Sequence, residues 1–548
     1  MLRTILIGII ILQSLKSDAQ VQMAENGKIA TFCKVWGFLK YYHPVVATGN
    51  IKWDNEFKAK YKQIDSLNTK KEINKFYSKW LSSLGNVKSC NECKNNIADS
   101  LKRNLDLSWL NDSMSFDKSV IKELYFIEKN RNQISKYYIQ DEVDGRTAFS
   151  KEKGYYDSIQ PSTELRMLGL ARYWNIINYF FSYKYLIGED WNVVLTDMIP
   201  KFRDAKDTIE YHMAILELTA RTNDSHAGTI NHEGLNYFGS KWAPFMVKII
   251  DNKAIVTNFY NDSFAQIDDI KYGDVFLKIN NIDLEEIIKE KSKHIAASNE
   301  PAKLRKLSRI ILNGDSDVVE VSFERNGIIG NKTIHRYYFD QLKYIEKEHK
   351  DTTVWEIIDT NVGYINMGML KHNEEMDVIL KLKNTIAIIF DLRHSANNTL
   401  RNLAFLLSDD KKPFAILTLP NLKYPGVFNY TEPILCGQST KYYYQGKVIL
   451  LFDENTQGIA ELTGMGLKTA PDVTCIGSQT AGAVGNISMV TFPGGFETYI
   501  SSTGVYNTDG KETQRVGLVP DIEVKPTIEA IKARRDELIE MALDIKRK

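Results

Sequence analysis

The sequence predicts a multidomain α+β protein with a helical N-terminal region, a β-rich middle region and a C-terminal α/β layer. With 548 residues the chain is too long for a single hydrophobic core. Its 43% hydrophobic and 25% charged residues are the balance of an ordinary globular protein. The spacing of apolar residues changes from helical to strand-like near residue 240, and strands and helices alternate from about residue 353.

The N-terminal residues have the features of a signal peptide. Arg3 is followed by an apolar run from Ile5 to Leu12 and then by the small residues Ser17 and Ala19, so we expect cleavage after Ala19. A membrane anchor is the alternative, but the run is much shorter than the roughly 20 residues that span a bilayer. We expect an exported protein, periplasmic or extracellular, without a membrane span once residues 1–19 are removed.

Charge and motifs limit the partners. Seventy Lys plus Arg oppose 69 Asp plus Glu, so the net charge of +1 gives no general attraction to nucleic acid. The segment TAGAVGN has neither the lysine of a P-loop nor a G-x-G-x-x-G pattern. We therefore expect no cofactor and no metal.

Cys90 and Cys93 form a C-x-x-C pair in the loop-like segment SCNECKNN. An oxidising compartment favours a local disulfide between them. A zinc half-site and a redox motif are the alternatives, but the sequence has no second pair at a matching spacing and no strand before the motif.

The region 20–235 has helical periodicity and many aromatic residues, which are expected to form core, and His43 is expected to be structural. Strand patterns follow in PFMVKIIDNKAIVTNFY, IKYGDVFLKINNIDL and VVEVSFERNG, with a helix predicted from Pro301 to Ile311. This order over 240–328 resembles a PDZ domain, which binds an extended peptide at a sheet edge. A β-rich scaffold without a ligand is the alternative.

From 350 to 528, buried strands such as TIAIIFDLR and KVILLFDEN alternate with helices such as QGIAELTGMGLKTA. This pattern predicts an open α/β layer with its site beyond the carboxyl ends of the strands. Residues 529–548 are predicted to form a C-terminal helix.

Four segments, IIFDLR, FDENTQGIAE, IGSQTAGAVGN and VGLVPDIEV, resemble the tail-specific, or C-terminal processing, serine proteases. With the PDZ-like part, the resemblance covers residues 224 to 525 and implies a ClpP/crotonase-like α/β domain. In that family the serine nucleophile lies two residues after a Thr and three before a Glu. Here Gly458 occupies that position, between Thr456 and Glu461. Thr456 and Ser478 carry the nearest hydroxyls in sequence, but substitution by either is not favoured.

The resemblance also implies the other site residues. The lysine base of one subgroup is absent from Thr480-Ala481-Gly482-Ala483, whereas Asp224-Ser225-His226 matches the Ser-His pair of the tricorn-like subgroup. His226 is the expected base, because an imidazole suits proton transfer near neutral pH. Ser225 is expected to hold a partner hydrogen bond.

The acidic group that orients this serine in the family has its place at Gln514, with Glu512 two residues earlier. A glutamine can still hydrogen-bond a hydroxyl. Asp391 and Arg393 are expected to be structural. The expected oxyanion region comprises Asn397, Asn398 and Ile459.

The favoured hypothesis is therefore a serine-type peptidase fold that binds peptides or unfolded chain ends but cuts them poorly, because the nucleophile is missing. The alternatives are an active endopeptidase, a non-enzymatic envelope scaffold that uses the helical region, and an engineered glycine in an ordinary protease. The sequence leaves the oligomeric state open.

Overall fold

The computed structural model describes residues 25–142, 145–228, 237–342, 353–408, 410–438 and 443–545. The predicted signal peptide lies outside these residues. The first helix, α1, covers residues 25–42. The other α-helices are α2 Trp53–Asp65, α3 Lys70–Ser83, α4 Lys118–Lys129, α5 Thr163–Phe180, α6 Trp191–Arg203, α7 Thr208–Ala220, α8 Asp262–Ile267, α9 Leu284–Ser292, α10 Glu300–Ser308, α11 Phe339–Leu342, α12 Glu375–Leu382, α13 Leu400–Leu407, α14 Ile459–Leu467, α15 Ile528–Lys532 and α16 Glu537–Ile545.

The strands are concentrated after residue 240, where the sequence pattern changes. They are β1 Gln140–Asp141, β2 Thr147–Ala148, β3 Lys241–Trp242, β4 Phe245–Ile250, β5 Lys253–Phe259, β6 Val275–Ile279, β7 Ile282–Asp283, β8 Val318–Arg325, β9 Ile328–His335, β10 Tyr337–Tyr338, β11 Trp355–Ile358, β12 Val362–Asn366, β13 Ala387–Asp391, β14 Lys412–Pro420, β15 Phe428–Tyr430, β16 Ile434–Cys436, β17 Lys447–Phe452, β18 Val473–Gly477, β19 Ile487–Thr491, β20 Glu497–Ser501, β21 Gly504–Tyr506 and β22 Ile522–Glu523.

The first compact unit combines residues 1–218 with the segments 419–429 and 487–502. Its core is aromatic, as the sequence predicts. The indoles of Trp36 and Trp53 stack with 6.3 Å between ring centroids, and each indole N–H donates to the other residue's carbonyl. Phe492, which follows β19, stacks on Tyr173 of α5 at 5.2 Å. The late hairpin β19–β20 therefore supplies core residues to this unit.

A disulfide joins Cys90 and Cys93 within the same unit. This is the outcome that the oxidising-compartment interpretation favours over a zinc half-site.

The second unit comprises residues 219–418, 430–486 and 503–548. Its first sheet has the strand order β4-β5-β6-β8-β9, with β7 paired to β6. Asp251 and Asn252, which have φ angles of +49° and +57°, make the tight turn between β4 and β5 that the sequence predicts. Helix α10 begins at Glu300, within one residue of the predicted start. Since β4 is the first strand in this order, one of its edges has no neighbour among the strands that the structure describes.

The second sheet of this unit has the order β11-β12-β13-β17-β18-β22. All its pairs are parallel except β11 with β12. One core cluster contains residues of α12, α13 and α14, and a separate cluster contains Leu538 and Ala542 of α16. Because helices cover both faces, the strands are buried on both sides and read as continuous apolar runs.

The single C-terminal helix predicted for 529–548 is replaced by two helices, α15 and α16. Arg534, between them, has a φ of +55°. A left-handed residue cannot continue an α-helix, so the chain turns there.

Across the part of the chain that the structure describes, no helix has the length and apolar character needed to cross a bilayer. The same residues contain no group of three or more His, Cys, Asp or Glu side chains placed to hold a metal ion.

Candidate active site

Gly458 lies at a sharp turn between a strand and a helix. The chain leaves β17, whose last five residues are buried, and α14 begins at Ile459. Gly458 has φ +61° and ψ −115°, a conformation that costs a residue with a side chain about 1–3 kcal/mol. Among the residues that the structure describes, and apart from its chain neighbours, a Cβ built on Gly458 would have one neighbour within 4 Å, Nε2 of His226 at 3.6 Å. A side chain at position 458 would therefore be in van der Waals contact with the imidazole.

Glu461 fixes this turn. Its buried carboxylate accepts hydrogen bonds from the amides of Gly458 (3.1 Å), Gly482 (2.8 Å) and Ala483 (3.1 Å) and from the hydroxyl of Thr480 (2.5 Å). Burial raises the pKa of Glu461, although these donors favour its ionised form. The glutamate thus joins the start of α14 to the loop after β18.

His226, the predicted base, lies on the loop that follows α7. The amide of His226 donates to Oδ1 of Asp224 at 3.0 Å, and Nδ1 of the imidazole lies 3.7 Å from the same oxygen. Only 9% of the His226 side chain is exposed. Burial lowers the pKa of His226, Asp224 opposes this shift, and Lys306 adds to it. The neutral imidazole is favoured near pH 7, which is the form that accepts a proton.

Lys306 of α10 supports this loop, and the sequence analysis did not identify it. Its half-buried side chain donates to the carbonyls of Ser225 (2.9 Å), Ala227 (3.2 Å) and Ala296 (2.6 Å). Burial lowers the pKa of Lys306 to about 7, whereas its three acceptors favour the charged form. One lysine in a lysine-rich helix gives no sequence signal for this role.

Ser225 and Gln514 lie in one network but contact different groups. The hydroxyl of Ser225 accepts from the amide of Ser298 (2.7 Å) and donates to the carbonyl of Ala481 (3.0 Å). Gln514 donates through Nε2 to the hydroxyl of Ser298 (3.2 Å) and weakly to Oδ1 of Asp224 (3.5 Å). The hydroxyl that Gln514 contacts is thus that of Ser298 rather than Ser225. The carboxylate beside His226 comes from its own loop.

The residues of the expected oxyanion region lie at the start of α14 and in the turn that follows β13. Ile459 occupies the first turn of α14, where backbone amides have no acceptor within the helix. The side chain of Asn397 instead donates to the carbonyl of Leu370 at 2.7 Å, and Asn398 is exposed. The Asn397 side chain is thus tied to the loop that follows β12.

Asp391 and Arg393 are structural, as predicted. Arg393 donates to both carboxylate oxygens of the buried Asp391, and this pairing lowers the pKa of Asp391. Thr456 is held within the turn, because its buried hydroxyl donates to the carbonyl of Leu392 at 2.8 Å.

A groove of about 450 Å³ runs along β4 and α10 and reaches Glu454 and Asn455, just before the Gly458 turn. Trp242, Tyr260 and Phe339 form an aromatic wall, with ring centroids 4.9 to 6.2 Å apart. Its polar lining includes Lys248, Arg305, Arg309 and Glu454. Arg305 donates to the carbonyl of Glu454 and to Oε1 of Gln457, so it links the groove to the turn.

Residues 361–524 match the model of peptidase family S41. No curated protein matches the sequence significantly. Among solved structures, mature CPAF complexed with lactacystin is similar at a TM-score of 0.55 and 14% identity, over 70% of this chain and 98% of that one. Mature CPAF alone gives 0.55 and 14%, over 70% and 96%.

The photosystem II D1 C-terminal processing protease gives a TM-score of 0.37 at 14% identity, over 66% of this chain and 93% of that one. The likeness to CPAF concerns the fold. The predicted fold class, an α+β protein with a helical N-terminal region and a C-terminal peptidase domain, is confirmed.

Proposed function

We propose that this chain is an exported, catalytically impaired relative of the tail-specific proteases, which binds a peptide or an unfolded chain end. The observation that carries this proposal is the 3.6 Å between Nε2 of His226 and the Cβ position of Gly458. A serine at 458 could bring its hydroxyl within the roughly 2.6–3.2 Å that proton transfer to a base requires. With glycine there, the acyl-enzyme route has no first step.

The groove along β4 supports the binding part of the proposal. An extended peptide can add to the free edge of β4, as peptides do in PDZ domains, and we propose that residues 240–328 act in this way. The aromatic wall suits an apolar side chain of the peptide, while the charged lining suits its polar backbone ends. The groove leads toward the Gly458 turn, so a bound chain would be presented to the impaired site.

Export rests on the segment from Arg3 to Ala19, and the disulfide between Cys90 and Cys93 supports it. Fractionation of cells that produce the full chain tests this point. Recovery of the chain with its first nineteen residues intact in the cytoplasm would contradict it.

The catalytic test is turnover of casein, a disordered protein, by the mature chain and by two variants. We expect the native chain to be inert, Gly458→Ser to be active, and Gly458→Ser/His226→Ala to be inactive. Cleavage by the native chain, together with fluorophosphonate labelling of one Ser or Thr, would instead establish an active endopeptidase.

The binding test uses the native chain and a fluorescent unfolded casein peptide. We expect Trp242→Ala to weaken binding at least tenfold, because the aromatic wall loses its central ring. Trp355→Ala, on β11, is the matched control and should leave affinity unchanged. Equal affinity for the native chain and the Trp242 variant would remove the groove from the proposal.

A further inference from the structure

The groove along β4 carries more positive than negative charge. Among the described residues that line it, the cations are Lys248, Arg305 and Arg309, and the carboxylate is that of Glu454. Lys248 pairs with Glu454 at 2.7 Å, so this carboxylate is already neutralised. Burial, and then the nearby charge of Arg309, lower the pKa of Arg305, as expected for two guanidinium groups that repel each other. A negative group bound in the groove would relieve this repulsion.

Arg309 is the cation of this lining that is left for a ligand. Arg305 donates to the carbonyl of Glu454 (2.8 Å) and to Oε1 of Gln457 (2.6 Å), so its guanidinium is held toward the Gly458 turn. Arg309 is exposed, and its guanidinium has no hydrogen-bond or ion-pair partner in the part of the chain that the structure describes. Its N–H donors are therefore available to an acceptor on a bound molecule.

Arg309 lies between the aromatic wall and the opposite, charged end of the groove. It follows Arg305 by about one helical turn, and its backbone is still helical where α10 ends. Further along the chain, Gly314 exchanges backbone hydrogen bonds with Lys241, beside Trp242 of the wall. An apolar side chain at the wall and a carboxylate at Arg309 can therefore belong to one bound chain.

The edge of β4 limits where an extended peptide can lie. The amide of Ile249 donates to the hydroxyl of Ser308 at 3.2 Å, so this amide is not available to a peptide. The part of β4 that remains runs from Phe245 to Lys248, and all of it lines the groove. Side chains of an extended chain alternate between its two sides. A peptide paired with this short stretch presents about two side chains toward α10, two positions apart.

We propose that the groove selects peptides in which a Glu or Asp lies two residues from an aromatic residue, with the carboxylate bound by Arg309. The inference rests on the proposed peptide binding and adds the side chain that is recognised. A carboxylate suits a guanidinium because the two can form a pair of parallel N–H···O bonds. A side-chain carboxylate is favoured over a C-terminal one, because the groove continues past Arg309 in both directions and the bound chain can do the same.

The experiment measures the binding of two peptides to the mature full chain by isothermal titration calorimetry. The first peptide is Ser-Glu-Ser-Phe-Ser-Glu-Ser, which serves either chain direction, and the second has Gln in place of both Glu. Both are acetylated and amidated, so that only side chains carry carboxylates. We expect the Glu peptide to bind at least about fivefold more tightly, because charge-assisted hydrogen bonds are roughly twice as strong as neutral ones.

Variants of Arg309 test which residue reads the carboxylate. Arg309→Gln should make the two peptides bind equally, and Arg309→Glu should favour a peptide with Lys in place of both Glu. Arg401→Gln is the matched control, because Arg401 is exposed on α13 outside the groove, and it should keep the native preference. Arg309 is itself exposed, so these changes leave the core intact, and the melting temperature of each variant checks this.

Equal affinity of the native chain for the Glu and Gln peptides would overturn the inference, and so would a preference that persists in Arg309→Gln. Tighter binding of the Gln peptide with a free C-terminus than of the blocked Glu peptide would also overturn it, since the groove would then recognise a chain end. These results leave the proposed peptide binding in place. Absence of binding for every peptide would remove the proposed binding function together with this inference.

Discussion

At the scale of single residues, Gly458 and Gln514 have different physical effects on the candidate site. Gly458 relieves strain, because its φ of +61° costs a serine about 1–3 kcal/mol that a glycine does not lose. Gln514 avoids a clash of charges, because its Nε2 lies 3.5 Å from the carboxylate of Asp224. The acidic group beside His226 is already present on the histidine's own loop.

Gln514→Glu is therefore expected to disturb the site. It places a second buried carboxylate beside Asp224. Repulsion between the two carboxylates raises the pKa of the pair, and the added negative charge raises the pKa of His226. We expect a loss of stability of roughly 1–3 kcal/mol at neutral pH, shrinking toward acid as the pair takes up a proton. NMR titration of the His226 imidazole measures its pKa. Gln514→Met is the uncharged control, and an unchanged His226 pKa in the Glu variant would contradict the argument.

Asp453, after β17, is expected to make stability depend on pH. Burial, together with the neighbouring Glu454, raises the pKa of Asp453 to about 6. Between about pH 4 and 6 the folded chain then binds more protons at this residue than the unfolded chain, so stability falls as pH rises through this range. Asp453→Asn removes this titration. The free energy of unfolding of the variant, measured against that of the native chain, should therefore be up to about 3 kcal/mol larger at pH 7 than at pH 4.

Thermal melts of both chains at the two pH values test this. If the melting temperatures of the native chain and the variant differ by the same amount at both pH values, Asp453 has its ordinary pKa. Asp472→Asn is the control, because Asp472 is largely exposed and pairs with Lys447 at the surface.

At the scale of elements, sequence reasoning succeeds where a signal is local. The apolar run of β17, the tight turn that follows and the glutamate three residues after Gly458 place the start of α14. The helix of 529–548 is misjudged because the left-handed Arg534 carries no sequence signal. The two hydrogen bonds between Ser225 and Ser298, in which each amide donates to the hydroxyl of the other residue, are also not predictable. They join two loops that lie 73 residues apart in the sequence.

Helix α10 gives an element-scale prediction through Lys306. Lys306→Met leaves the carbonyls of Ser225, Ala227 and Ala296 without this donor, and each buried unpaired group costs about 1–3 kcal/mol. In the Gly458→Ser background we expect at least a tenfold loss of kcat with little change in KM, because the His226 loop moves while the groove does not. Lys303→Met is the control, since Lys303 pairs with Glu300 near the surface of the same helix.

If Lys306→Met lowers the melting temperature but leaves kcat unchanged, the lysine acts on stability alone. If it raises KM instead, it acts on the groove. Either result would contradict a role in positioning His226.

At the scale of the whole molecule, the chain is divided in a way that no boundary drawn along the sequence anticipates. The first unit takes the segments 419–429 and 487–502 from within the stretch predicted as one α/β domain. In these segments, Phe492 stacks on Tyr173, the carbonyl of Pro425 accepts from the buried hydroxyl of Tyr42, and the carbonyl of Thr491 accepts from Arg172. The sequence pattern of a late hairpin predicts only that its aromatic residues are buried. It does not indicate which distant residues they pack against.

A fragment of residues 25–218 is therefore expected not to fold alone. Without the two late segments it exposes the ring face of Tyr173 and leaves the buried guanidinium of Arg172 without the Thr491 carbonyl. Each unpaired buried polar group costs about 1–3 kcal/mol, and a domain of this size has only about 5–15 kcal/mol of stability to lose. We expect weak near-ultraviolet circular dichroism, binding of a hydrophobic dye and no sharp melt, beside a sharp melt for the full chain. A cooperative melt of the isolated fragment would show that the late segments are not needed for this unit to fold. Deletion of residues 20–222 would then test a scaffold role for the helical region.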